Sequence, residues 1–248
     1  MRIAIISDIH ANLPALEACL EDISQQDVDT IYCLGDLVGY NVWCNEVVEY
    51  IRTECIPTIA GNYDVGIGLN SDDCGCAYKT EYDRQLGRQS ITYTNATISE
   101  SNREYLRRLP AHIAIEYRMA DDHLSRILLV HGSPRRVNEY LFADRSDDSL
   151  RRIVEHAGVD VLVFGHTHIP YHRTLPSTDG RMLHAINAGS VGKPKDGDPR
   201  ACYVVLSVGS DGVQIAFRRV AYDVERAAHA IEESPLPNDY AEQLRRAY

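Results

Sequence analysis

At 248 residues, 44% of them hydrophobic, the chain is long enough to bury the core of one large α/β domain spanning 1–248. A net charge of −11 argues against a surface built for a nucleic-acid polymer or an anionic membrane, so any phosphate must be bound locally. The apolar run at residues 3–6 is too short for a signal peptide, and no stretch approaches the roughly 20 apolar residues of a spanning helix, so a soluble, cytoplasmic protein is expected.

The first third alternates two patterns: strands at 2–6, 30–34 and 56–60, and helices at about 13–25 and 45–53. Such a βαβαβ run predicts parallel strands whose carboxyl-end loops carry the functional residues. Residues 65–110 break the rhythm with a Gly, Asn, Asp and Cys-rich loop and then helical stretches near 78–94 and 100–109, expected to form an inserted helical lid. Ser101-Asn102-Arg103-Glu104 fits a capping box opening the second of these helices. A hairpin of 113–117 and 127–130, turning at Ala120-Asp121-Asp122, precedes a helix at 150–156 and a strand at 159–164. Strands at 182–187, 202–208 and 213–220 are expected to continue that second, more antiparallel sheet, the last two joined by Gly209-Ser210-Asp211-Gly212. From Asp223 the tail reads as helical, broken at Pro235 and Pro237.

Seven cysteines, among them Cys19, Cys33, Cys55 and Cys202 standing singly in apolar surroundings, suit reduced, buried thiols better than a disulfide framework. Cys74-Gly75-Cys76 is the one close pair; it reads as packing thiols, with a soft-metal or redox pair as the alternative.

Metal-ligand side chains recur just past the strand-like runs. They lie in Ser7-Asp8-Ile9-His10, Gly35-Asp36-Leu37-Val38-Gly39, Gly61-Asn62-Tyr63-Asp64, Val130-His131-Gly132-Ser133 and Gly165-His166-Thr167-His168. Asn187-Ala188-Gly189-Ser190 and the basic stretch 193–200 look like phosphate-handling loops. Two divalent cations need oxygen and imidazole donors from several directions and one shared carboxylate to hold them roughly 3.5–4 Å apart. Asp36, flanked by Gly35 and Gly39, is the natural bridge. A water shared by such a pair loses a proton near neutral pH, and the hydroxide can attack phosphorus in line.

These segments, in this order, resemble the calcineurin-like metallophosphoesterases, in the bacterial branch of small phosphodiesterases and diadenosine-tetraphosphatase-like proteins, over nearly the whole chain. The resemblance implies an α/β fold, a four-layer α/β/β/α sandwich of two mixed sheets. It implies Asp8, His10, Asp36 and His168 around one metal ion and Asp36, Asn62, His131 and His166 around a second. The ions would be two divalent transition metals, for which Mn, Fe, Zn, Co and Ni suit the donor set alike. Asp36, Asn62 and His131 are the expected catalytic residues.

One position departs from the family. Many relatives carry His after the ligand Asn, where it assists the leaving oxygen; here Tyr63 stands there, leaving Asp64 free to brace the loop. A phenol, with a reference pKa of about 10, is a poorer proton donor at neutral pH than an imidazolium near 6.5. Asn12, Tyr40, Tyr63, Arg135 and Arg136 are candidate substrate contacts, the two arginines because a guanidinium just past His131 could grip a phosphate bidentately. Lys193, Lys195 and Arg200 could focus an anion on an otherwise acidic protein, and His184 reads as a structural histidine.

The expected function is hydrolysis of a small phosphorylated substrate: a phosphodiester, an activated monoester or a nucleotide. The alternatives on the same site are a dinucleoside-polyphosphate hydrolase and a serine/threonine protein phosphatase. Those of another class are a non-catalytic metal-binding scaffold and a redox-sensing regulator.

Overall fold

The computed structural model describes residues 1–118, 124–209 and 212–248, so the hairpin turn expected at Ala120-Asp121-Asp122 and the Ser210-Asp211 pair of the second turn lie outside the described residues. In chain order the first elements are β1 (Arg2–Ile6), α1 (Leu13–Ile23), β2 (Thr30–Cys33), α2 (Cys44–Thr53), α3 (Asn62–Gly68), α4 (Glu81–Thr97) and α5 (Glu100–Arg107). There follow β3 (His112–Arg118), β4 (Leu124–Val130), α6 (Asp147–Ala157), β5 (Val161–Phe164), β6 (Tyr171–Pro176) and β7 (Met182–Asn187). The last are β8 (Ala201–Gly209), β9 (Gly212–Val220), α7 (Val224–Glu232) and α8 (Asp239–Arg246).

The alternation of side chains along the strands builds the layers. In β1, Ile3 and Ile5 face the second sheet while Ala4 and Ile6 face α1 and α2, so both faces are buried and the strand must be central. In β5, Val161 and Val163 join that inter-sheet layer, and Leu162 and Phe164 turn outward onto Leu150 and Val154 of α6. The result is the four-layer α/β/β/α sandwich of two mixed sheets. One sheet has the order β2-β1-β8-β9 and the other β3-β4-β5-β7-β6.

The strand assignment is corrected at three places. β8 and β9 do not continue the second sheet; β8 pairs antiparallel with β1 and closes the first. Its two faces are both apolar, Tyr203 and Val205 on one and Val204 and Leu206 on the other, which marks a central strand but not which sheet owns it. The strand expected at 56–60 is reduced to a single parallel bridge from Thr58 to Cys33, beside Pro57, which has no N–H to extend the ladder. The strand β6 was not foreseen: its sequence Tyr-His-Arg-Thr-Leu-Pro is polar because it is an edge, paired only with β7.

Helix boundaries follow local chemistry. Asn12 caps α1 by accepting from the Ala15 amide. Ser99, not Ser101, caps α5, accepting from the Asn102 amide. The expected capping box therefore falls inside the helix, where buried Arg103 instead holds the Ile67 carbonyl and Asn95. Within 65–110, Ile67, Cys74, Ile91, Ile98 and Leu106 share one apolar cluster with α1 and α2. All seven cysteines are free; Cys19, Cys33 and Cys202 are buried as expected, whereas Cys55 is exposed at the end of α2. No helix among the described residues is long and apolar enough to cross a membrane.

Candidate metal centre

Six buried side chains converge from the carboxyl ends of β1, β2, β4 and β5. They form two groups, Asp8 with His10 and His168, and Asp36 with His131 and His166, the potential ligand atoms of each lying within 4.8 Å of one another. Five of the six sit in the left-handed backbone region: Asp8 (φ 52°), His10 (48°), Asp36 (54°), His166 (65°) and His168 (62°). Each such residue costs on the order of 1 kcal/mol or more, and strain of this kind persists only where the surroundings over-determine it. Here the Asp8 and His10 amides donate to the Gly35 and Asp36 carbonyls (3.0 and 2.9 Å), and the Asp36 amide donates to Asp64 (2.7 Å). Two glycines let the loops close: a methyl at Gly61 would overlap the Asp36 carboxylate, and one at Gly165 the Ser7 hydroxyl and Asp8 carboxylate.

Outer contacts aim the ligands. Nδ1 of His10, His131 and His168 lies 3.0, 2.9 and 2.6 Å from the carbonyls of Val38, Leu34 and Lys193. A carbonyl only accepts, so each Nδ1 carries the hydrogen and each Nε2 turns inward. Nε2 of His10 and of His168 lie 3.1 Å apart. Burial holds both rings below their usual pKa, His10 at about 3, so two lone pairs face each other and a cation between them would turn repulsion into attraction. Asp8 Oδ1 and His166 Nε2 are buried with no hydrogen-bond partner. Orphaned buried polar atoms of this kind, together with an N/O donor set, fit a pair of divalent transition metals.

Asp36 faces both groups. Its Oδ1 accepts from the Tyr63 amide (2.8 Å), leaving Oδ2 at 3.4 Å from His131 Nε2 and 3.7 Å from His10 Nε2. Asn62 donates through its amide to the Cys74 carbonyl (2.9 Å) and Cys76 sulfur (3.4 Å), which turns its Oδ1 toward His131 Nε2 at 3.1 Å. Asp64 accepts from the backbone amides of Asp36, Leu37 and Gly61, tying two ligand loops together.

The histidines differ in charge. Burial lowers His166 to about 3, whereas at His131 the same burial is outweighed by Asp36 and Asp8, which push it up to about 10. Any cation bound by His131 must displace that proton, so metal affinity should climb as pH rises toward 10 and flatten above it. Loading the metal-free protein at pH 8 in weak buffer is expected to release about one proton per chain, read by a pH indicator. Metal uptake independent of pH between 6 and 9 would contradict the assignment of that proton to His131.

The remaining sequence candidates divide. The Tyr40 ring packs edge-on against His10 at 4.7 Å, and Tyr63 does so at 5.5 Å. Tyr63 is 1% exposed, its hydroxyl has no hydrogen-bond partner, and burial raises its pKa well above the usual value. Asn12 is occupied by structure, donating to the Gly192 carbonyl and the Tyr222 hydroxyl besides capping α1. Arg135 is paired with Glu139, and exposed Arg136 belongs to neither group. His184 is hydrogen-bonded to His172 (3.0 Å), away from the centre. Sequence reasoning missed Tyr140, whose ring lies 4.0 Å from that of His166, and Ser7, which donates to Asp8 (2.6 Å). Ser7 adjoins a ligand and could have been suspected, but nothing in the pattern around Tyr140 marks it.

The calcineurin-like phosphoesterase superfamily domain matches residues 1–211, so the chain belongs to that superfamily and is a metal-dependent phosphoric ester hydrolase. It is 34% identical over 258 residues to an uncharacterized protein of Methanocaldococcus jannaschii, a match spanning 98% of this chain and 96% of that one. The crystal structure of a metallophosphoesterase from Sphaerobacter thermophilus aligns with 100% of this chain and 99% of its own, at 29% identity and a TM-score of 0.75. Phosphodiesterase YfcE of Escherichia coli (strain K12) is 26% identical over 206 residues, 83% of this chain and 87% of the relative.

Proposed function

We propose that Asp8, His10, Asp36 and His168 hold one divalent transition-metal ion and Asp36, Asn62, His131 and His166 a second, and that this centre hydrolyses small phosphodiesters and phosphoesters with good leaving groups. The observation that carries this reading is Asp36 Oδ2, placed between His10 of one group and His131 of the other, where a shared carboxylate belongs. When bound, the two ions supply Lewis acidity toward the phosphoryl oxygens and a hydroxide drawn from water near neutral pH. The chain's own work is positioning. Backbone carbonyls aim three imidazoles, Asp64 locks two ligand loops, and Cys74 with Cys76 orients Asn62. Those two cysteines belong to the 65–110 segment, which we read as the lid bounding the substrate side. The phosphodiesterase relative supports a phosphodiester as the first substrate class to try.

The test is turnover of bis(4-nitrophenyl) phosphate by the protein loaded with Mn, Zn or Fe, alongside metal analysis. Tight stoichiometric metal binding with no hydrolysis across a phosphoester panel would favour a scaffold instead. Tyr63 sets a second expectation. Its phenol, buried and harder to ionise than a free one, is no proton donor at neutral pH, so the rate should depend steeply on leaving-group pKa. Tyr63→His should flatten that dependence and raise activity toward alkyl esters by about 10²-fold, the lower range for a placed general acid. Parallel slopes for the two proteins across an aryl and alkyl series would dismiss Tyr63 from the leaving-group side.

A further inference from the structure

Beside the first metal group lies a second cavity of about 300 Å³, whose walls include Tyr40, Tyr78, Lys79, Lys193, Lys195 and Tyr240, together with Asp83, which accepts from the Thr80 cap of α4. Its wall residues touch the centre's ligands. The Lys193 carbonyl holds His168 Nδ1 at 2.6 Å, the Lys195 amide donates to the His168 carbonyl (3.4 Å), and the Tyr40 ring touches both His10 and the Lys193 ammonium, 4.7 and 4.9 Å away. Lys193 is 4% exposed, hydrogen-bonded to Gln243 and flanked by the faces of Tyr40 and Tyr240. Lys195 is partly buried. Among the described residues neither lysine is paired with a carboxylate, although buried lysines ordinarily are.

Resting on the dinuclear reading above, we propose that this cavity is a second anion subsite: the substrate carries a further phosphate or carboxylate beyond the phosphoryl group at the metals, and Lys195 with Lys193 binds it. The charge balance points the same way. Two basic side chains without a carboxylate partner in a tyrosine-walled pocket favour an anion as the missing partner. Tyr40 and Tyr78 would line its path with apolar ring surface and hydroxyls able to donate to it.

The experiment is calorimetric binding of methylphosphonate and propane-1,3-diphosphonate to the manganese-loaded protein, with 4-nitrophenyl-substituted diesters as an independent check that the centre is active. Wild type should bind the diphosphonate at least about tenfold more tightly, the scale of one charge-assisted hydrogen bond. Lys195→Gln, which keeps the stem and a polar head, should lose that gap, whereas Arg200→Ala, whose partner is Asp198, should keep it. Equal affinity of wild type for the two phosphonates, or a gap that survives both Lys195→Gln and Lys193→Met, would overturn the subsite alone. If methylphosphonate does not bind to protein of full metal content, the dinuclear phosphoesterase reading falls, and the subsite with it. 2-Carboxyethylphosphonate in place of the diphosphonate distinguishes a carboxylate from a second phosphate as the preferred anion.

Discussion

Asp36→Asn is expected to lower kcat/KM by about 10³-fold, the several kcal/mol that metal stabilisation of transition-state charge is worth. The substitution is nearly isosteric. Its remaining oxygen can still accept from the Tyr63 amide, so the α3 entry should survive. What it loses is Oδ2, which becomes a donor aimed at His131 and His10 and can bridge nothing. His131 also loses the attraction that most raises its pKa, so the proton released on metal loading at pH 8 should shrink toward zero. Metal content by elemental analysis, steady-state kinetics and proton release thus read the same change three ways. Full activity with two ions bound would refute the bridge.

Asp64→Ala should act mainly on stability. Its carboxylate takes three buried backbone amides, from Asp36, Leu37 and Gly61, and each orphaned donor costs roughly 1–3 kcal/mol. Allowing for relaxation and some water entry, a loss of about 3–5 kcal/mol in urea unfolding of the metal-free protein is expected. Metal affinity should fall about 10–100-fold, as for other groups that orient ligands without touching the ion. Asp64→Asn should fall between, since one oxygen cannot serve three donors. A change below about 1 kcal/mol in the alanine variant would mean that the two loops hold themselves, against the satisfaction of buried amides argued here.

The ligand loops were legible in the sequence because strand ends are marked twice, by an apolar run that stops and by glycines that permit close approach. Asp36, His131, His166 and His168 follow that rule, Asp8 and His10 carry only the first mark, and all six arrive in the same two buried groups. Sheet membership was less legible. β8 is apolar on both faces, and period-two alternation says that such a strand is central without saying between which neighbours. β6 escaped because an edge strand with His172, Arg173 and Thr174 looks like a loop. Asn12 and Arg135 look like substrate contacts from their nearness to ligand motifs, yet the structure spends one on a helix cap and the other on an ion pair. Proximity in sequence does not report where a side chain's hydrogen bonds are already committed.

The pairing of β1 with β8 sets an order of assembly. Every proposed ligand lies within the first 168 residues, but Asp8 and His10 extend from a strand whose other edge is filled only by residues 204–207. The carbonyl that aims His168 comes from Lys193. A chain emerging during synthesis therefore carries all its ligands well before it can present them, and its half-built first sheet exposes an unpaired apolar edge along Ile3 and Ile5 until the last third arrives. Contacts of such long sequence separation favour late, slow closure of the first sheet, and with it of the loop that carries Asp8 and His10.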